Sequence, residues 1–235
     1  MKRFWDHAVA VRRPEGGHAV LLDGRPLRLP GGQPLATHSA PLAEAIAAEW
    51  HAAGGAKGQP MTMEEVPLTR LLGTAQDRVA PDPTAMVEGL ARYAETDLLC
   101  YRAEDPALAE EQAREWQPLL DWAAEAHGAR LSVTAGLMPI AQPGASLAAL
   151  RAAIAKHGSE ELAALGVIVP GLGSLVLGLA ISAGRLDAAE AHRLAILDER
   201  FQERRWGADS EALARRSRIA ADVAMAERFL LLVRA

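Results

Sequence analysis

The chain has 235 residues and half of them are hydrophobic, so it can bury a sizeable core in one large domain or two small ones. The net charge is −5 and there is no basic block, which argues against a nucleic-acid partner and a basic membrane-surface helix. Cys100 is the only cysteine, so an intramolecular disulfide is excluded and a reducing compartment is expected.

The first third of the chain is predicted to be β-rich. Trp5 to Val11 alternates imperfectly between apolar and polar residues. Two apolar runs, His18 to Leu22 and Arg25 to Leu29, flank the dipeptide Asp23-Gly24. Both residues of a two-residue hairpin turn need a positive φ, which Asp and Gly tolerate, so this pattern predicts a β-hairpin.

A helix is predicted to close this N-terminal part. Ser39 can cap a helix that continues to about Ala53, where Gly54-Gly55 ends it. Its apolar residues Leu42, Ile46 and Trp50 fall at helical spacing. The following loop places a domain boundary near residue 60. We therefore predict an α+β fold with a small β-rich N-terminal domain, residues 1–60, and a larger mainly helical domain, residues 61–235.

The next part of the chain is predicted to be mostly helical. Pro67 can open a helix, and Asp82-Pro83 is a cap followed by proline at the first helical position. Further helices are expected at about 83–99, 107–127 with a bend or restart at Pro118, and 147–157. Leu131 to Thr134 is a candidate short strand.

The segment Leu162–Gly184 contains no charged residue. Its length reaches the roughly 20 residues that a bilayer span needs. However, Pro170-Gly171 interrupts it and several glycines dilute its hydrophobicity. We therefore predict two buried core helices joined at Pro170 in preference to a membrane span.

The last part of the chain is predicted to contain two helices. Asp187 and Glu190 resemble a capping box, which would start a helix that ends before Gly207. Asp209 or Ser210 can cap a final helix that continues through Leu231.

The sequence contains no recognisable catalytic apparatus. No two of its seven histidines lie within four residues of each other, so a helical two-histidine metal face is absent. The run Gly171–Val176 has valine where a dinucleotide loop needs a third small residue. Cys100 lies beside Leu98 and Leu99, which favours a buried, inert thiol. We predict no catalytic, metal-binding or cofactor-binding residue.

The predicted helix Asp187–Trp206 has two different faces. Leu194, Leu197 and Phe201 form an apolar stripe typical of a core-facing side. Glu199, Gln202 and Trp206 fall together on another face. Trp206 could simply cover the end of its own helix. Alternatively, this face could bind a partner through an aromatic anchor with a polar rim.

The runs that carry a family resemblance are spread over nearly the whole chain. They are, in chain order, Arg3-Phe4-Trp5, Leu22-Asp23-Gly24-Arg25-Pro26, Glu49-Trp50, Pro67-Leu68-Thr69-Arg70-Leu71, Tyr93 to Arg102, Trp116-Gln117-Pro118-Leu119-Leu120, Gly173-Ser174, Leu197-Asp198-Glu199-Arg200-Phe201-Gln202, and Trp206-Gly207-Ala208-Asp209. In this order and spacing they resemble the assembly-chaperone family for the alpha subunit of mitochondrial and alphaproteobacterial F-type ATP synthase.

The resemblance implies a two-part fold and binding to unassembled alpha subunit. By position in its run, Glu199 matches the carboxylate on which the family relies. Asp198, Gln202 and Trp206 are added as predicted partner-binding residues. One departure concerns charge, because the family often has Glu two residues before the Trp-Gly pair, where this chain has Arg204.

We therefore expect an assembly chaperone and not an enzyme. It would be a monomer before binding, with no cofactor and no stable membrane insertion. The N-terminus has no apolar run behind its basic residues, so we expect no secretory signal and a cytoplasmic location. The alternatives are a small-molecule enzyme with an inter-domain site and a membrane-associated protein that uses Leu162–Gly184. Trp50 and the Tyr93–Arg102 run could be functional, although packing explains them more simply.

Overall fold

The computed structural model describes residues 1–136, 138–207 and 209–235, so Ala208, in one of the runs above, lies outside the described residues. Strands are concentrated near the N-terminus and the remainder is mainly helical, which confirms the α+β prediction. The chain divides into two compact units. The first comprises Met1–Pro83, Ser159–Ala164 and Arg228–Ala235, and the second comprises Thr84–Gly158 and Leu165–Glu227. The domain boundary near residue 60 stays a prediction.

The first unit contains a small antiparallel sheet. Strand β2 (His18–Leu22) pairs with β1 (Ala8–Arg12), β3 (Arg25–Pro26) and β4 (Ala36–Thr37). Leu22 pairs with Arg25 across the Asp23-Gly24 turn, whose φ values are 46° and 79°. This confirms the hairpin. Strand β3 is shorter than predicted.

Helix α1 (Ala40–Ala52) packs on this sheet as its spacing predicts. The Ser39 hydroxyl accepts a hydrogen bond from the Leu42 amide at 3.1 Å and caps the helix. Its apolar side chains Leu42, Ile46 and Trp50 are buried. Local sequence signals therefore fix both the start and the buried face of α1.

Two tryptophans connect the core of the first unit. The Trp5 indole N–H donates to the Trp50 carbonyl at 2.8 Å, and the two rings lie 4.9 Å apart. The Trp50 indole N–H in turn donates to the Thr69 hydroxyl at 2.8 Å. Thr69 lies on helix α2 (Pro67–Thr74), whose first amides are capped by the Glu49 carboxylate. Trp50 therefore has a structural role in this core.

Arg3 is a buried cation that organises the chain around α1. Its guanidinium donates to five main-chain carbonyls, at distances between 2.8 and 3.1 Å. These carbonyls belong to Trp5, Asp6, His51, Ala53 and Gly55. These hydrogen bonds are charge-assisted and largely shielded from water. Loss of the guanidinium should therefore be costly.

We predict that Arg3→Met lowers the free energy of unfolding by about 3 kcal/mol or more, because the carbonyls lose their donor. The exposed neighbour Lys2 provides a matched control. Lys2→Met should change the free energy of unfolding by less than about 0.5 kcal/mol. Urea denaturation followed by circular dichroism measures both. Equal losses in the two variants would contradict the anchoring role of Arg3.

In the rest of the described residues, the elements are helices, short helical turns and one small two-stranded sheet. The helices are α3 (Pro83–Ala91), α4 (Pro106–His127), α5 (Gly144–Ile154), α6 (Ser159–Leu172), α7 (Leu175–Ser182), α8 (Ala188–Ala195), α9 (Leu197–Trp206) and α10 (Ser210–Arg234). The 3-10 turns are Met63–Glu65, Arg92–Ala94 and Leu98–Cys100, and the π turn is Ala75–Val79. The parallel strands are β5 (Tyr101–Arg102) and β6 (Thr134–Ala135).

Several predicted boundaries were wrong. The helix predicted to reach Leu99 ends at Ala91, where the chain tightens into a 3-10 turn, and Asp97 later caps a separate turn at Leu98–Cys100. Helix α4 continues through Pro118 without a restart. The break in the apolar segment lies at Gly173 and not at Pro170: Pro170 falls in the last turn of α6, whereas Gly173 has a φ of +65°. No helix within the described ranges is long and apolar enough to span a bilayer.

The helix predicted from Asp187 to Trp206 is divided at Ile196. This residue has a φ of −101° and a ψ of 20°, outside the helical region, so α8 and α9 are separate helices. Asp187 caps α8 by accepting from the Glu190 amide, but the Glu190 carboxylate pairs with Arg193, so only half of the predicted capping box forms. Asp209 caps α10 by accepting from the amides of Glu211 and Ala212.

Candidate functional site

Helix α9 is oriented by contacts on its inner side. Leu197 and Phe201 are buried, as predicted, but Leu194 belongs to α8. Asp198 accepts a hydrogen bond from the Gln112 side-chain amide at 2.7 Å, and the Gln112 carbonyl oxygen accepts from the Ala103 amide at 2.7 Å. Gln112 is buried on α4, so this pair joins α9 to α4.

Ion pairs hold the flanks of α9. Arg204 donates to Glu111 at 2.5 Å and Arg205 donates to Asp105 at 2.6 Å, which ties the C-terminal half of α9 to the start of α4. Glu203 pairs with Arg216 of α10. The charge departure at Arg204 therefore has a structural explanation, since the arginine has an acidic partner on α4.

The remaining side of α9 carries Glu199, Gln202 and Trp206. Trp206 is 75% exposed, so it does not cover the end of its own helix. Gln202 is also exposed, and within the described residues neither its side chain nor that of Trp206 makes a hydrogen bond. Glu199 lies 3.6 Å from Arg216 and 3.8 Å from Arg215, beyond hydrogen-bond distance. We call these three residues the α9 face.

The four predicted residues are neighbours on α9, because Asp198 lies about one turn before Gln202, at the edge of the α9 face. The Asp198 carboxylate is turned towards α4, where it accepts the hydrogen bond from Gln112. Its predicted contact with a partner stays a prediction. In the structure, the hydrogen bond between Asp198 and Gln112 helps to orient α9.

A cleft of about 420 Å³ lies beside Glu199. Its walls come from the 96–101 segment, the α6–α7 junction, the α8–α9 junction and α10. Arg216 lines this cleft although its side chain is only 6% exposed. Its Nη1 atom is buried and has no hydrogen-bond partner within the described part of the chain. Arg216 therefore keeps one N–H group in the wall of the cleft without a partner among the described residues.

Sequence reasoning missed Arg216, although a signal was present. At 3.6 residues per turn, Arg216 falls on the row of α10 that contains Val223 and Ala226, both of which are buried. A charged residue on a buried apolar face of a helix usually forms an ion pair within the protein or contributes to a binding site. Arg216 pairs with Glu203 and also lines the cleft.

One wall of the cleft is fixed by Asp97. This buried carboxylate accepts hydrogen bonds from the Ser174 hydroxyl at 2.7 Å and from the amides of Val176 and Leu99 at 3.0 and 3.1 Å. Burial raises the pKa of Asp97 to about 6, while the hydrogen bonds oppose this rise. Asp97 therefore holds the 96–101 segment against the α6–α7 junction, and both line the cleft.

We predict that Asp97→Asn lowers the free energy of unfolding by about 1–3 kcal/mol, because the new amide group must face at least one main-chain donor. Urea denaturation measures the loss. The exposed Asp222 on α10 gives a matched control, and Asp222→Asn should be nearly neutral.

The loss should also depend on pH. Since the folded pKa of Asp97 is raised from 3.8 to about 6, the folded chain retains this proton where the unfolded chain releases it. The contribution of Asp97 to stability is therefore full below pH 3.8 and falls until about pH 6. The difference between wild type and Asp97→Asn should be larger at pH 4 than at pH 7. A difference that grows with pH would contradict this environment.

Other reactive groups have unreactive surroundings. Burial raises the pKa of the Cys100 thiol to about 12, so the thiolate is scarce at neutral pH. Among the described residues, no group of three or more His, Cys, Asp or Glu side chains is placed to hold a metal ion.

Comparison with known proteins identifies the family. Residues 2–124 match the family described as ATP12 chaperone protein. The chain belongs to the ATP12 chaperone family. Its curated relatives include the mitochondrial protein atp12 of Schizosaccharomyces pombe, which is 27% identical over 223 residues, covering 90% of this chain and 75% of the relative.

Solved structures of similar proteins have the same fold. Atp12 from Paracoccus denitrificans is 44% identical with a TM-score of 0.92, and the alignment covers 99% of this chain and 98% of that one. A mutant of the same protein gives the same score and identity, with 99% and 97% covered. The Atu1473 protein from Agrobacterium tumefaciens is 37% identical with a TM-score of 0.90, covering 100% and 86%. These relatives support the ATP12 assignment over the whole chain.

Proposed function

We propose that this ATP12-family chain is an assembly chaperone that binds the unassembled alpha subunit of the F-type ATP synthase and keeps it from aggregating until it pairs with beta. The observation that carries the proposal is the exposure of Trp206 beside Glu199 and Gln202. The other sides of α9 are occupied by contacts within the chain. The α9 face is therefore held in a fixed orientation and left free for a partner.

The chemistry of this face suits reversible capture. An isolated subunit exposes apolar surface that its neighbours cover in the assembled enzyme, and such patches drive aggregation. An exposed indole can insert into an apolar patch, while the adjacent carboxylate and amide bind polar groups at its edge. A contact of moderate area can then be displaced by the correct subunit.

The cleft beside the α9 face adds a donor to this surface. We propose that the unpartnered Nη1–H of Arg216 donates a hydrogen bond to a carbonyl or carboxylate oxygen of the client. Asp198 is proposed to contribute by orienting α9 through Gln112. We further propose that the chaperone acts in the cytoplasm and is a monomer before it binds.

We predict that Glu199→Lys weakens capture of alpha at least about tenfold, because a cation would replace the carboxylate next to Arg215 and Arg216. Alpha is co-expressed with each chaperone variant, and its soluble and co-purified amounts are measured. The matched control is Glu125→Lys on an exposed part of α4, which should capture alpha normally.

Both variants should keep the helical circular-dichroism signal and a melting temperature close to that of the wild type. Undiminished capture by a folded Glu199→Lys variant would remove Glu199 from the binding site. If the wild-type chain itself neither binds alpha nor keeps it soluble, the proposed function is wrong.

We also predict that Trp206→Ala weakens capture about tenfold or more without loss of stability. The exposed indole contributes little to the core, whereas an aromatic anchor typically contributes over 2 kcal/mol of binding energy. Titration of labelled alpha by fluorescence anisotropy measures affinity. Met138→Ala removes another exposed apolar side chain and should bind like the wild type. Equal affinities of the two variants would exclude Trp206 as an anchor.

A further inference from the structure

The first unit contains a second concave surface, remote in sequence from the α9 face. This groove has a volume of about 650 Å³. Its apolar lining includes the buried side chains Leu22, Leu29, Leu35 and Trp50. A cavity of this size accommodates several side chains of a ligand. Two of these buried residues, Leu22 and Trp50, belong to the family runs, whereas none belongs to the α9 face.

Exposed apolar side chains also line the groove. Met1 is 59% exposed, Phe4 is 53% exposed and Met63 is 44% exposed. The Phe4 ring packs edge-on against the buried Trp5, with ring centroids 5.0 Å apart, so this contact fixes the position of the exposed ring. Apolar side chains that stand out around an apolar groove indicate an occupant that extends beyond the cavity.

The charged residues of the groove are mainly cationic. Four arginines line it, against a single carboxylate, Asp77. They are Arg25, Arg28, Arg70 and Arg78, all of which are exposed. This local excess of positive charge contrasts with the chain's net charge of −5.

Most of these arginines lack an acidic partner. Arg28 donates to the Gly32 carbonyl at 2.6 Å. In the described part of the chain, Arg25, Arg70 and Arg78 form no ion pair, whereas Arg204, Arg205 and other arginines elsewhere do. An anionic occupant would therefore find free guanidinium groups at the edges of an apolar surface.

We propose that this groove binds an extended protein segment in which apolar side chains alternate with carboxylates. The apolar side chains would enter the cavity and pack against Phe4, and the carboxylates would pair with Arg70 and Arg78. A polypeptide fits better than a small molecule, because the apolar surface continues outside the cavity. The inference rests on the proposed function only in taking the segment from a client protein.

Binding of a synthetic segment tests this directly. The probe is a short fluorescein-labelled peptide in which leucine and phenylalanine alternate with aspartate and glutamate, and its affinity is measured by anisotropy. Arg70→Glu/Arg78→Glu should weaken binding at least about tenfold, since two attractive charges become repulsive. Arg12→Glu/Arg130→Glu changes the net charge equally at exposed arginines outside the groove and should bind like the wild type.

Two further measurements keep the result interpretable. Arg70→Gln/Arg78→Gln removes the charges without reversing them and should bind the peptide more weakly than the wild type but more tightly than Arg70→Glu/Arg78→Glu. If the charge-reversed variant folds poorly, the Gln variant carries the test. A peptide with asparagine and glutamine in place of the acids should bind the wild type several-fold more weakly. Absence of peptide binding to the wild type, or equal affinity for the acidic and amide peptides, would overturn the proposal. So would equal losses in the groove and control variants.

The result is separable from the proposed function. If Glu199→Lys abolishes capture of alpha while the wild type does not bind the peptide, the α9 face stands and the groove proposal fails. If the peptide binds at the groove but alpha is never captured, the groove binds acidic apolar segments and the identity of the client is wrong.

Discussion

The orientation of α9 depends on the hydrogen bond between Asp198 and Gln112, supported by the ion pairs of Arg204 and Arg205 with α4. Gln112 is buried and uses its other polar atom on the main chain, so it has little freedom to release Asp198. Because these contacts occupy the inner side of a short helix, its outer side is presented without further ordering. A surface that is already ordered loses less conformational entropy when it binds.

Much of the family resemblance is explained by polar contacts inside the protein. Arg3 binds carbonyls around the end of α1, Glu49 caps α2, and Asp97 joins Ser174 to the segment that precedes β5. Buried polar groups are costly when unpaired, so each of these residues constrains its partners. The runs that make the family recognisable therefore describe its architecture as well as any binding surface.

Local signals sufficed where the chain makes its own contacts. The Asp23-Gly24 turn and the Ser39 cap could be predicted because a hydrogen bond or φ value within a few residues determines them. The break at Ile196 carries no proline or glycine, so no local signal in the sequence marks it. The α9 face could be predicted from helical spacing, whereas the unpartnered atom of Arg216 and the arginine-lined groove depend on tertiary contacts.

The state of Cys100 has a practical consequence. The thiol is buried, its pKa is raised to about 12, and the chain has no other cysteine. At neutral pH the reactive thiolate is therefore a very small fraction, and mild oxidants or maleimides should leave the native protein unmodified. A cysteine introduced at an exposed position would be the only accessible thiol, so one spectroscopic label could report on a chosen surface without background.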